Sequence, residues 1–138
     1  MRYLLDTNAV SVLQKEITPH SAAAAWIRSI RIRDTFLSVI TVGEIRRGVE
    51  TRRRRDQAGA LSLEAWARGL ELQYERQILP VTVEIAHLWG SFTTTQPLPV
   101  ADALIAATAL HHGLTVVTHN VKDFERAGVA IVDPFSAN

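Results

Sequence analysis

Five short apolar runs alternate with longer stretches of helical spacing, and that order dictates a layered α/β fold around a mainly parallel sheet of roughly five strands. The runs are "RYLLD" (2–6), "TFLSVI" (35–40), "ILPV" (78–81), "LTVVTHN" (114–120) and "VAIVDP" (129–134), the last closed by Pro134. Helical spacing is expected in "SAAAAWIRSI" (21–30), in "TVGEIRRGVE" behind Thr41, and in "LSLEAWARGLELQYERQ" (61–77). It is also expected in "VTVEIAHLWGSF" (81–92) and in "LPVADALIAATALHHG" (98–113), which Pro99 opens and Gly113 stops. A chain of 138 residues is long enough for one domain, 1–138, with a real core. The run Arg52–Arg55 marks a solvated helix end or a helix–helix connection.

The rest of the composition narrows the class. The longest apolar run is too short and too interrupted to span a bilayer, and "MRYLLDTNAV" lacks the apolar core of a signal peptide. With no cysteine, disulfides and thiolate metal sites are excluded, and the expectation is a cytoplasmic protein with no membrane partner. Net charge is +1, but 13 of the 15 basic residues are Arg. The guanidinium fork suits bidentate contact with phosphate or carboxylate, so a polyanion or an acidic peptide is a conceivable partner.

The acids carry the chemistry. Asp102 is the only residue between Leu98 and Leu110 that is not apolar, small or hydroxylic, and no Lys or Arg lies between Arg76 and Lys122. An ionised carboxylate in such surroundings needs compensation by pairing, hydrogen bonds or a metal. Asp6 ends the first expected strand, Glu44 follows the second, and Asp123 follows the fourth. In an open parallel sheet, ligands collect beyond the carboxyl ends of the strands, where these acids fall. Singly, each has a structural reading. Thr41 and Glu44 form a T-x-x-E capping box, Asn120 and Asp123 an N-x-x-D start, Asp6 a strand-to-helix turn, and Asp102 a charge on a helix N-terminus. Jointly, converging carboxylates resist ionising together without a cation, and Mg²⁺ or Mn²⁺ is the hard ion such a set holds.

"LLDTN", "LSVITVGEIRRGV" and "PVADALIAATALHHGLTVVTHNVKDFERAGVAIVDP" together resemble the PIN domains of VapC-type and FitB-like toxins, over nearly the whole chain and in the same order and spacing. The resemblance implies a three-layer α/β fold and a divalent-metal-dependent endoribonuclease, held inactive by a cognate antitoxin of the VapB or FitA kind. Carried over by position, Asp6, Glu44 and Asp102 match the family's three central acids. Asp6 and Asp102 are the metal ligands, and Glu44 is a ligand or general base. The fourth position falls in Thr118-His119-Asn120, where Asn120 replaces the acid some members carry. Asp123, one helical turn on, either joins the catalytic set or only caps a helix. Asn8 orients Asp6 or touches water at the ion, and Thr118 has a similar supporting part. Mg²⁺, with Mn²⁺ as substitute, is the implied cofactor. RNA is the implied substrate, a homodimer the implied assembly, and DNA is met only through the antitoxin.

Arg46, Arg47 and His119 are further candidates for contact with RNA backbone or with the antitoxin, and Arg52–Arg55 for an RNA-binding rim. His111 and His112 close a helix and suit its dipole. Trp26, Trp66 and Trp89 fit a core or a dimer interface better than base stacking. Three rivals remain: a metal-free ribonuclease using two His, an aspartyl-nucleophile phosphatase, and a catalytically weak toxin-side partner in a regulatory complex. The phosphatase normally wants a second acid where position 8 is Asn.

Overall fold

Paired apolar residues in each inner strand send their side chains to opposite faces, and so this short sheet is buried on both sides. Leu4, Phe36 and Val116 pack into one core with Ile105, Ala106, Ala109 and Phe124. Their neighbours Leu5, Leu37 and Val117 pack into the other with Val10, Ile45, Ala67 and Tyr74. The computed structural model describes residues 1–16, 22–92 and 98–136. The strands are β1 (Tyr3–Leu5), β2 (Thr35–Ser38), β3 (Ile78–Leu79), β4 (Thr115–Val117) and β5 (Ile131–Val132). They form one sheet in the order β3-β2-β1-β4-β5, with every pairing parallel.

The helices are α1 (Thr7–Glu16), α2 (Ala22–Ser29), α3 (Val39–Arg53), α4 (Gln57–Gln73), α5 (Val83–Gly90), α6 (Val100–His112) and α7 (Val121–Arg126). Helices α1, α3 and α4 supply the core around Leu5 and Leu37; α6 and α7 supply the core around Leu4 and Val116. Small residues let α6 lie close to the sheet: Ala103, Ala106, Ala107 and Ala109 are all buried. Gly113 ends it in the left-handed conformation, φ 65°, which glycine adopts without a Cβ clash. Connections run outward from β1 to β3 on one side, then return to place β4 on the other flank of β1. That reversal lies between β1 and β4, and a crevice is expected above their carboxyl ends.

Some boundaries differ from those expected. Ser38 Oγ accepts from Ile40 N at 3.0 Å and caps α3, so Val39 and Ile40 are helical and the helix opens before Thr41. Thr41 is therefore buried inside the first turns, and the T-x-x-E capping box does not form. Helix α4 starts four residues before Leu61, because Asp56 Oδ1 accepts from Gly59 N at 2.9 Å. The strand-to-helix turn expected at Asp6 leads into a helix over Thr7–Glu16. The Arg52–Arg55 run straddles the end of α3 and the turn to α4, a helix–helix connection as expected. Ser21 and Pro97 lie outside the described residues. No described helix is long and apolar enough to cross a membrane.

Candidate active site

Asp6 leaves β1 at the reversal point and is only 2% exposed. Its Oδ1 accepts from Ala9 N at 2.7 Å, so the carboxylate caps α1. Burial pushes its pKa up to about 6; the Thr118 hydroxyl and the Ala9 N–H oppose that rise, and the charges of Asp102 and Glu44 add to it. Asp6 thus titrates in the field of two other acids from distant parts of the chain.

Asp102 sits in the first turn of α6, behind Pro99. Its pKa is raised first by burial and then by Glu44 and Asp123, against the hydrogen bond from Asn120. That bond runs from Asn120 Nδ2 to Asp102 Oδ2 at 3.2 Å. Glu44 projects from α3 and is exposed. The Thr7 hydroxyl, at the start of α1, donates to Glu44 Oε1 and lies 3.1 Å from Thr41 Oγ1. Three strand ends and four helices therefore meet at these acids, each acid carried by a different element.

The supporting residues divide. Thr118 is fully buried beside Asp6, and its Oγ1 accepts from Asn120 N at 2.8 Å. Asn120 stands at the N-cap of α7 without capping it; its amide donates instead to Asp102 and, at 2.8 Å, to Asp123 Oδ2. Asp123 is held below the usual carboxylate range by Asn120 and then by Arg126, which binds its Oδ1. The expected N-x-x-D cap is thus a side-chain pair, and Asp123 reaches the other acids through Asn120. Asn8 is exposed in the first turn of α1, while the groups acting on the Asp6 carboxylate are Ala9 N–H and Thr118.

Arg46 pairs with Glu64 of α4 at 3.2 Å, which ties it to the protein's own surface, whereas Arg47 is exposed. His119 contacts Asp133. Trp26 meets Tyr3 edge-on at 5.1 Å and Trp66 packs on the core; Trp89 is 42% exposed. Sequence reasoning misses Thr7, Asp133, and Thr41 as a neighbour of the site. Nothing in "LLDTN" says that a hydroxyl there meets a side chain 37 residues on, because only the parallel β1–β2 pairing puts α1 beside α3.

Asp6, Glu44 and Asp102 form no ion pair with a described residue. Among the described residues, no three His, Asp or Glu side chains are drawn close enough to grip one ion together. An oxygen-only, anionic and open donor set fits Mg²⁺ or Mn²⁺, which take one or two carboxylates and keep water in the remaining positions. It does not fit a closed structural zinc cage.

The PIN domain family model matches residues 3–130. This chain belongs to the PIN-domain family. Among PIN-domain relatives, it is 32% identical over 137 residues to Toxin FitB of Neisseria gonorrhoeae, covering 96% of this chain and 97% of that protein. It is 32% identical over 141 residues to VapC ribonuclease Y4jK of Sinorhizobium fredii, covering 96% of each. The solved FitAcB structure from Neisseria gonorrhoeae superposes with a TM-score of 0.83 at 32% identity, covering 98% of this chain and 99% of that one.

Proposed function

We propose that this PIN domain is the toxin of a toxin–antitoxin pair and a divalent-metal-dependent endoribonuclease, inhibited by a VapB- or FitA-type antitoxin. One observation carries the reading. Asp6 is pushed to about 6 by burial and by the charges of Asp102 and Glu44, an arrangement that costs stability and has no basic partner among the described residues. Relatives named Toxin FitB and VapC ribonuclease support it.

Asp6 and Asp102 would hold the ion, which would supply an acidified water and offset charge on the phosphoryl oxygens. Each of these carboxylates has one oxygen already committed, Asp6 Oδ1 to Ala9 N and Asp102 Oδ2 to Asn120 Nδ2. These bonds, with the Thr118 hydroxyl beside Asp6, hold both carboxylates in a fixed orientation. Glu44 is exposed and anchored by Thr7 at one oxygen only. It is suited to hold the attacking water and accept its proton. The products are a 5′-phosphate and a 3′-hydroxyl, with no need for the ribose 2′-hydroxyl.

End-labelled RNA incubated with antitoxin-free protein, with Mg²⁺ or Mn²⁺ and with excess EDTA, tests the proposal. Metal-dependent cleavage leaving 5′-phosphates, absent in Asp102→Asn, supports it. Cleavage that survives both EDTA and the substitution overturns it in favour of a two-His mechanism. No cleavage of any RNA, with no metal-induced rise in Tm, leaves the protein a binding partner only.

A further inference from the structure

His119 stands between Thr118, which acts on Asp6, and Asn120, which binds Asp102. His119 follows β4, and Asp133 follows β5, the strand paired with it through Val117↔Val132. Their side chains meet at that edge of the sheet: His119 Nδ1 lies 3.2 Å from Asp133 Oδ2 and 3.4 Å from Oδ1. Asp133 is itself held, accepting from Phe135 N at 3.0 Å and from the Ser136 hydroxyl. The Phe135 ring stands edge-on to the imidazole, with centroids 6.4 Å apart. The ring is thus fixed on two sides while its side chain stays 63% exposed.

A carboxylate on Nδ1 does two things. It fixes the orientation of the ring, and it occupies Nδ1, so that Nε2 is the ring nitrogen turned to solvent, a donor whenever the ring is cationic. An anchored, exposed donor of this kind suits a phosphate oxygen better than an apolar or cationic partner does. Its neighbours in sequence are the two residues that hold the catalytic acids, since Thr118 acts on Asp6 and Asn120 binds Asp102. A strand of RNA whose scissile phosphate lay at those acids would have its next phosphates along the same carboxyl edge of the sheet.

We propose that His119, positioned by Asp133, is a substrate-binding residue that contacts an RNA backbone phosphate flanking the cleaved one. The proposal rests on the ribonuclease reading. His119 makes this contact and Asp133 acts only through it. Phe135 and Ser136 keep Asp133 in place.

The test measures binding, so that it does not depend on cleavage. Fluorescein-labelled single-stranded RNA is titrated with the full chain carrying Asp102→Asn, alone and combined with His119→Ala, His119→Arg or Asp133→Asn, over a range of salt concentrations. His119→Ala is expected to weaken binding about tenfold, the range of one charge-assisted hydrogen bond. It should also lower the slope of log K against log salt by about 0.7, the loss of one phosphate contact on a single strand. His119→Arg restores both, because the guanidinium donates without help from Asp133, and Asp133→Asn falls between. Unchanged affinity and slope in His119→Ala, with the parent protein binding RNA, overturn this proposal and leave the ribonuclease reading intact. No RNA binding by this parent or by the unsubstituted chain overturns both.

Discussion

Asn120 Nδ2 donates to Asp102 Oδ2 at 3.2 Å, and the same amide donates to Asp123 Oδ2 at 2.8 Å. A neutral side chain therefore stands between two acids and hydrogen-bonds both. An Asp at this position would put a third negative charge where a donor now sits.

The Asn120→Asp variant is accordingly expected to melt at lower temperature than the parent at neutral pH in EDTA, by several degrees. Mn²⁺ should restore more of its Tm than it adds to the parent, since binding to the folded state stabilises more the tighter the binding. Thermal melts with and without Mn²⁺ measure this. An Asn120→Asp protein as stable as the parent in EDTA would show that the three groups are not coupled.

Thr7 and Glu44 give a second prediction. The Thr7 hydroxyl is the hydrogen-bond donor that fixes Glu44, while α1 is capped by Asp6 and α3 by Ser38. Thr7→Val removes the donor and keeps the shape, so both helices should survive. If Glu44 is the base, as proposed, cleavage kcat is expected to fall about tenfold or more through loss of its positioning, with KM little changed, and Thr7→Ser should recover most of it. Single-turnover rates on a labelled RNA separate these outcomes.

The architecture was legible because strands buried on both faces leave continuous apolar runs, and "RYLLD", "TFLS" and "TVV" are such runs. The helix starts were less legible. Ser38 and Thr41 are both good caps, and which one the chain uses depends on where β2 stops pairing with β1 and β3, a tertiary fact. The acids were legible as a set because strand ends in a parallel sheet share one edge. Their partners were not. Thr7–Glu44 and His119–Asp133 are contacts between elements brought together by sheet order, and no local spacing encodes them.

The turn between α3 and α4 offers a purely structural check. A Cβ on Gly59 would lie 2.2 Å from Asp56 Oδ2, the carboxylate that caps α4 and pairs with Arg52 at 3.0 Å. Gly59→Ala must displace that cap, and it is expected to destabilise the fold by about 1 kcal/mol, the typical worth of an N-cap. Urea unfolding should show a lower midpoint at unchanged slope, with the RNA cleavage proposed for this chain unaltered in the surviving folded protein.

The most discriminating prediction concerns Asp6 and pH. Its folded pKa is about 6 against an ordinary 3.8, so the folded state holds the proton over a window in which the unfolded chain has released it. Folding stability from this group is then full below pH 4 and falls as pH rises from about 4 to about 6, the sign opposite to that of a salt-bridged carboxylate. A rise of that size corresponds to roughly 3 kcal/mol of stability lost above the window. Asp6→Asn keeps an acceptor for Ala9 N and removes the charge, so the metal-free variant should be more stable than the parent at pH 7.5 and nearly equal to it at pH 4. Tm measured in EDTA at both pH values tests this. A parent–variant difference that does not change with pH would mean that neither burial nor the acidic neighbours destabilise the Asp6 carboxylate, and the case for a cation at this site would lose its main physical support.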